Sequence, residues 1–355
     1  MRRVVLAIDS FKGCLSSAET ETAAESGIRE RWRETEVVKV PVTDGGDGMA
    51  EVFSRLLDCK TIAVDCHDAL MRPVRASYAV STDDTVILET AAACGIGLLK
   101  PQELNPLRAT SYGVGELLSH ALRKGYSRFI IGLGGSATSD CGLGMLAALK
   151  DAFGEDWPAA LPQHLDVTLA SDVDNPLFGE QGAAAVFGPQ KGATPEMIAC
   201  LDRRARTFAR MAAARQGFDR STERGAGAAG GLGYAFLQFM NAKIRSGAGL
   251  LLETAGFGTL IDGADLIVTG EGSADAQTLM GKIPACVLQY GIRKGIPVVL
   301  IAGRVTDAAA LVGAGFAQVL CITPPGMPLA DAMDPVLAKA NIRRTLAECD
   351  FSLSA

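Results

Sequence analysis

The chain of 355 residues is short of the groups on which much enzyme chemistry depends. Its three histidines, His67, His120 and His164, are far apart and stand at no metal-ligand spacing from a cysteine. This argues against a zinc site and against Ser-His-Asp catalysis. The nine cysteines are scattered, odd in number and form no Cys-x-x-Cys pair. Neither a disulfide scaffold nor a redox motif is expected. Positive charge is not in excess: 34 Lys and Arg face 40 Asp and Glu, a formal charge of −6. Such a chain has no field to hold a nucleic-acid backbone or an anionic membrane. Long apolar runs are missing too. The stretch 4–8 after Met1-Arg2-Arg3 stops at Asp9, too early for a signal peptide, and reads as a first strand. Residues 225–242 and 308–330 carry no charge, but five glycines interrupt the first and Pro324, Pro325 and Pro328 the second. A soluble, cytoplasmic protein is the expectation, with neither nucleic acid nor membrane as a partner.

What is abundant is glycine, with 40 residues, or about 11% of the chain against a usual ~7%. Glycine without a collagen period marks tight turns and close backbone approaches. Hydrophobic residues at 48% allow a large core, and the length suits two domains of roughly 100–200 residues each. Short Val/Ile/Leu runs at 4–8, 37–42, 129–133, 266–269, 298–302 and 319–323 end in Gly, Asp, Ser or Pro. Runs without polar alternation suit strands buried on both faces, as in parallel sheets. Between them Ser16 or Ser17 caps a helix over 18–31, and Thr194-Pro195 opens one that reaches Ala214. Met197, Ile198, Leu201, Phe208 and Met211 give that second helix an apolar face opposite five arginines. Residues 61–64, 74–80 and 85–89 read as strands between charged turns. The pattern predicts an α/β protein of two domains. Residues 1–60 and 263–355 form a Rossmann- or flavodoxin-like parallel sheet with strand order 2-1-3-4-5. Residues 61–262 form an inserted α/β domain with a β-rich start.

In open α/β sheets ligands bind beyond the carboxyl ends of the strands, where the glycine-rich loops fall. These loops supply Asp9, Lys12, Asp44, Asp47, Ser136, Asp140, Glu271, Asp275 and Lys282. A further loop, 171–176, adds Asp172, Asp174 and Asn175 after the apolar stretch 167–170. Phosphoryl transfer from a nucleotide needs backbone N–H groups on the phosphates, carboxylates for a divalent ion, a cation on the migrating group and a carboxylate on the accepting hydroxyl. It needs no histidine and no thiolate. Any one of these acids is more often a helix cap, and Asp44 and Asp172 both stand where a cap could be. Recurrence at one end of several strands is what carries the reading.

The common nucleotide motifs do not account for the loops. No GxxxxGK[ST] occurs: Gly281-Lys282 is followed by Ile283, and Ala276 stands where the motif's first glycine would. Gly225-Ala-Gly227-Ala-Ala-Gly230 spells GxGxxG but follows a polar segment, not a strand. Gly132-Leu-Gly134-Gly135-Ser136-Ala137 matches GxGxxA after a strand and is the argument for an NAD(P)-dependent oxidoreductase.

Taken in order, the motifs resemble another family. Ala7-Ile-Asp-Ser-Phe-Lys-Gly13, Pro41-Val-Thr-Asp-Gly-Gly-Asp-Gly48 and Gly132-Leu-Gly-Gly-Ser-Ala-Thr-Ser-Asp140 are similar to segments of the bacterial type I glycerate kinases. So are Asp172-Val-Asp-Asn-Pro-Leu177, Val186-Phe-Gly-Pro-Gln-Lys-Gly192, Gly225-Ala-Gly-Ala-Ala-Gly-Gly-Leu-Gly233, Asp265-Leu-Ile-Val-Thr-Gly-Glu-Gly272, Gln277-Thr278 and Gly281-Lys-Ile-Pro284. The resemblance implies ATP-dependent phosphorylation of D-glycerate, commonly at the 2-hydroxyl, with Mg²⁺. It also implies two α/β domains with the active site in the cleft between them. Three departures stand out against the family pattern: Asp47 in place of Glu, Ser139 in place of Asn, and Ser273 in place of Arg. For the missing arginine, Lys282 and Arg304 are the candidates to substitute.

Roles follow from the resemblance and the loop chemistry together. Gly134, Gly135 and Ser136 offer N–H groups to nucleotide phosphates at a helix start. Asp44, Asp47 and Asp172 hold Mg²⁺ or orient the glycerate hydroxyl, with Asp172 as the base. Lys12 and Lys282 offset charge on the transferred group. Glu271 and Asp275 hold metal or ribose. Besides the oxidoreductase, the alternative is a metabolite-binding relative that lost the reaction, which Ser273 keeps open.

Overall fold

The computed structural model describes residues 3–40, 42, 49–154, 157 and 161–351. Among the described residues the strands are β1 (Arg3–Ile8), β2 (Glu36–Lys39), β3 (Lys60–His67), β4 (Pro73–Val80), β5 (Thr85–Glu89), β6 (Arg128–Gly132), β7 (Asp166–Ala170), β8 (Lys243–Arg245), β9 (Leu266–Ala274), β10 (Val298–Val305) and β11 (Gln318–Cys321). The chain divides into two compact units, residues 1–44 with 248–355, and residues 45–247. The units meet at 44/45 and 247/248, while the sequence reading drew its domains at 60/61 and 262/263. Helix Met49–Leu56 buries Met49 and Phe53 completely, and the Met49 N–H donates to the Glu89 carboxylate at the end of β5 (2.9 Å). Helix Phe257–Leu260 instead sets Phe257 edge-on against Tyr290, ring centroids 5.3 Å apart.

The first unit is a five-stranded, fully parallel sheet in the order β11-β10-β9-β1-β2. Counted within the unit, this is the 2-1-3-4-5 order that the alternation of runs and helices implied. Val4 to Ile8 are all fully buried, as a central strand covered on both faces requires. β1 ends its pairing at Ile8 opposite Gly270, whereas β9 and β10 stay paired as far as Ala274 and Val305. A two-stranded ribbon of β9 and β10 therefore projects past the carboxyl end of β1.

Helix Ser17–Arg31 begins in a capping box. Ser16 Oγ accepts the Glu19 N–H, and the Glu19 carboxylate accepts the Ser16 N–H (3.1 Å). The helix lies on Pro335–Glu348 so closely that a Cβ at Gly27 would meet the Arg343 carbonyl oxygen at 2.3 Å. Only glycine permits that approach. The Glu19–Lys339 and Glu30–Arg343 ion pairs flank it on the surface, where solvent screening leaves them little weight in stability.

Glu21, on the inner face of the same helix, is almost completely buried against the first strand. Burial pushes its carboxyl up to about 8, opposed by hydrogen bonds from the Ile8 and Val40 N–H groups and by the charge of Lys39. The folded chain thus keeps a proton that the unfolded chain releases near the ordinary value of 4.5. This group's contribution is whole below that pH and is lost as pH rises through about 8. The steepest loss is about 1.4 kcal/mol per pH unit. Glu21→Gln should flatten the decline in Tm between pH 5 and 8, read by thermal melts across that range. An unchanged slope would remove Glu21 as its source.

The second unit carries a six-stranded sheet, β3-β4-β5-β6-β7-β8. β3, β4 and β5 pair antiparallel, and β5 to β8 run parallel. The β-rich start and the α/β remainder expected of the insert are thus one mixed sheet. Tyr78, Leu88, Ile131, Met145, Leu169 and Phe236 lie in its core. Helix Pro195–Gln216 is capped by Thr194, whose Oγ1 accepts the Met197 N–H (3.4 Å). Its buried stripe is Leu201, Ala205, Ala209 and Ala212, while Met211 is 65% exposed. The sequence reading placed Met211 on the inner face. Close packing there selected small side chains over a large apolar one.

Candidate active site

In the first unit a cavity of about 640 Å³ opens beyond the carboxyl ends of β1, β9, β10 and β11. Its charged lining comes from Asp9, Lys12, Glu271, Lys282 and Arg304. Phe11, Val305, Ile322, Met327 and Met333 supply apolar surface. A mixed concavity of this size suits a ligand with a flat apolar part and an anionic part. Glu271 sits nearly buried within β9, opposite Ala302, with one carboxylate oxygen accepting from Thr278 Oγ1 (2.6 Å) and the other from Lys282 Nζ (3.1 Å). The Lys282 ammonium, 35% exposed, is thereby aimed from the start of helix Ile283–Lys294. Asp275 serves this arrangement from behind. It caps the short turn Ala276–Leu279 by accepting the Gln277 N–H (2.8 Å), and its own N–H donates to Thr278 Oγ1 (3.0 Å). It is absent from the cavity lining. Arg304 stands on the projecting ribbon, in register with Ser273 on β9. Its guanidinium is exposed and forms no hydrogen bond or ion pair among the described residues.

In the second unit the loops after β6 and β7 lie at the same end of neighbouring strands, Gly132 pairing with Ala170. Gly135 takes a left-handed conformation (φ +70°). The Gly135 carbonyl accepts the Ile96 N–H (2.7 Å), and the Ala137 N–H donates to Cys94 (2.8 Å). The N–H groups of Gly134, Gly135 and Ser136 find no acceptor among the described residues. Consecutive open N–H groups around a left-handed residue form a concavity for anions. The loop does not run straight into a helix, as the sequence reading had it. Asp140 draws the following turn together by accepting the Gly142 N–H (3.0 Å) and Gly144 N–H (3.1 Å), and helix Leu143–Phe153 begins only after it. This also removes the dinucleotide reading of Gly132–Ala137, which requires the motif to open a helix.

Asp172 is half-buried just past the end of β7. The residues beside it shape the loop: Asp174 pairs with Arg224, and Asn175 Nδ2 donates to the Gln181 carbonyl (2.7 Å). The glycine run 225–231 backs both loops. The Gly227 N–H donates to the Asn175 carbonyl (2.8 Å), and the Gly230 carbonyl accepts the Cys141 N–H (3.0 Å). A Cβ at Gly230 (φ +66°) would meet the Thr138 carbonyl oxygen at 1.9 Å. GxGxxG here is a packing surface, not a cofactor fingerprint.

The structure thus brings Lys12, Glu271 and Lys282 around one cavity of the first unit. It sets Gly134, Gly135 and Ser136 on the strand end beside that of Asp172. Asp44 and Asp47 lie outside the described residues. The sequence reading passed over Thr278, which orients Glu271, and Lys191, whose Nζ donates to Ser136 Oγ (3.1 Å) and to the Thr138 carbonyl (2.6 Å). Both belong to quoted motifs, yet a buried lysine between glycines has no periodic signal. No helix among the described residues is long and apolar enough to cross a membrane. Among the same residues, no three His, Cys, Asp or Glu side chains are grouped to hold a metal ion.

The model of the Glycerate kinase family matches residues 4–164 and 156–350. A glycerate kinase of Bacillus subtilis (strain 168) is 38% identical over 94% of this chain and 93% of its own length. A glycerate 2-kinase of Escherichia coli (strain K12) is 37% identical over 87% of each. A crystal structure from Salmonella typhimurium LT2, of a protein proposed to be glycerate kinase 2, superposes with a TM-score of 0.79 at 37% identity, covering 98% of this chain and 96% of that one.

Proposed function

The chain belongs to the glycerate kinase family, and from that premise we propose that it transfers the γ-phosphoryl group of ATP to a hydroxyl of D-glycerate, most simply the 2-hydroxyl. The observation that carries this reading is the family match from residue 4 to residue 350. The cavity and the open N–H loop supply the chemistry in support. Magnesium enters as the Mg·ATP complex. An ion held mainly by phosphates and water needs only one or two protein carboxylates. Asp172, half-buried at an open strand end, suits such a role, and we assign the second carboxylate to Asp44 or Asp47. The ion neutralises phosphate charge.

The chain's own side chains do the remainder. The N–H groups of Gly134, Gly135 and Ser136 bind phosphate oxygens. Lys282, held by Glu271, and Lys12 offset negative charge as the phosphoryl group migrates. Asp172 orients the glycerate hydroxyl and takes its proton. None of the nine cysteines is joined in a disulfide, which suits the reducing cytoplasm, where we place the reaction. The test is the purified protein with ATP, Mg²⁺ and D-glycerate, following ADP release and the phosphorus NMR spectrum of the product. A failure to release ADP across pH and metal would defeat the proposal, and the spectrum reads the hydroxyl used.

Arg304 is the guanidinium we assign to the glycerate carboxylate, since it faces the ribbon position Ser273 leaves without charge. A hydrogen bond to a charged group contributes about 1.5–3 kcal/mol. Arg304→Ala should therefore raise KM for D-glycerate roughly 10- to 100-fold and leave KM for ATP nearly unchanged. Steady-state kinetics with each substrate varied decides it; a rise confined to ATP would move Arg304 to the donor.

A further inference from the structure

We infer that Lys191 is a positioning residue whose buried ammonium makes the loop 134–139 a receptor for anionic oxygens, either the phosphates of the nucleotide or the carboxylate of the acceptor. The inference rests on the kinase reading only for the identity of these two anions.

Lys191 ends the turn Pro189–Lys191 and is 2% exposed. Gly192 after it (φ +84°) packs so tightly on Leu104 that a Cβ would meet the Leu104 carbonyl oxygen at 2.7 Å, which fixes the lysine's approach. The ammonium donates to the Thr138 carbonyl and to Ser136 Oγ. Among the described residues it forms no ion pair with a carboxylate. The titratable groups acting on it are Asp140 and the Cys94 thiol. Asp140 is already engaged by the Ser111 N–H and Oγ (both 2.8 Å) and by the Gly142 and Gly144 N–H groups. Cys94 is fully buried, its thiol pushed up to about 12, so it stays uncharged.

Burying an ammonium without a carboxylate is strongly unfavourable. The loop around it is made almost wholly of donors. Ser136 Oγ accepts from Lys191 and so keeps its own proton to give. Ser139 Oγ, 6% exposed, has no partner among the described residues. The three open N–H groups lie in the same six residues. Donors over a buried cation, with no acid satisfying them, are complementary to an anion.

Burial lowers the Lys191 ammonium to about 8. A bound anion favours the charged form, so binding is strong below that pH and weakens as the lysine loses its proton above it. The experiment compares wild type, Lys191→Met and Ser136→Ala for KM and kcat with each substrate from pH 7 to 9.5. The expected result is a roughly 10- to 100-fold higher KM in Lys191→Met, for ATP if the loop takes phosphates and for D-glycerate if it takes the carboxylate. The wild-type rise of that KM with pH should vanish in the variant. A folded Lys191→Met with both KM values and the pH profile unchanged overturns the inference, even if kcat falls. Should that variant fail to fold, Ser136→Ala must raise the same KM, and its failure to do so overturns the inference equally. Titration calorimetry with inorganic phosphate separates this from the kinase reading. An enzyme without turnover that still binds phosphate, more weakly in Lys191→Met, keeps the receptor and loses the reaction. No binding to wild type, with unchanged KM in the variants, rejects the receptor while the reaction stands.

Discussion

Asp172→Asn is expected to lower kcat by roughly 10²- to 10⁴-fold, the range for removal of a positioned base. The substitution keeps the side chain's shape and removes its negative charge. The loop should keep its form, because Asp174 is held by Arg224, Asn175 by Gln181, and the Asn175 carbonyl by the Gly227 N–H. Thermal unfolding should accordingly move little. KM for D-glycerate should change far less than kcat, since a base acts on the transition state more than on the bound substrate. Rapid-quench measurement of the phosphoryl step is the sharpest readout, because product release can mask chemistry in steady state. Full turnover in a folded Asp172→Asn protein would take the base role from this residue and return it to the loop that carries Asp44.

Gly230→Ala should be the most damaging single methyl in the second unit. The residue needs a left-handed backbone at φ +66°, and the added carbon would sit 1.9 Å from the Thr138 oxygen and 2.7 Å from Ser139 Cα. Strain and overpacking together cost about 2–4 kcal/mol. The comparison is Gly217→Ala, where φ is +80° but nothing lies within 4 Å of the new carbon. That variant carries the backbone term alone, about 1 kcal/mol. Urea midpoints of the two proteins should differ accordingly. In Gly230→Ala the displaced Thr138 carbonyl is also the one that accepts from Lys191, so substrate affinity should fall along with stability. Equal midpoints would mean that the 138–139 turn yields freely.

The first sheet was legible because its strands announce themselves. Val4 to Ile8 and residues 298–302 are unbroken apolar runs, and a parallel strand covered on both faces has no reason to be otherwise. Ser16 and Thr194 were legible as caps for equally local reasons. What escaped depends on partners distant in the chain. Asp275 reads as a potential ligand, yet its use is to cap a turn that aims Thr278 at Glu271. The 225–230 glycines read as a failed cofactor motif, yet their spacing is set by the backbone of 138–141 and 175–176 packed on them. Lys191 carries no sequence signal, because burial of a cation is decided by the loops that close over it. Chemistry at strand ends is visible one residue at a time; the supports behind it are not.

The sheet of the first unit sets an order on the chain's birth. β1 leaves the ribosome before the second unit does, and Val4 waits for Leu266, its neighbour on β9, until the entire 45–247 unit has been synthesised. Five water-averse residues in a row, with the edge that β9 will cover still open to hydrogen bonding, must stay clear of other nascent chains throughout that interval. The interrupted unit consequently cannot close before β9 and β10 have emerged, and until then β1 is a segment for a chaperone to shelter.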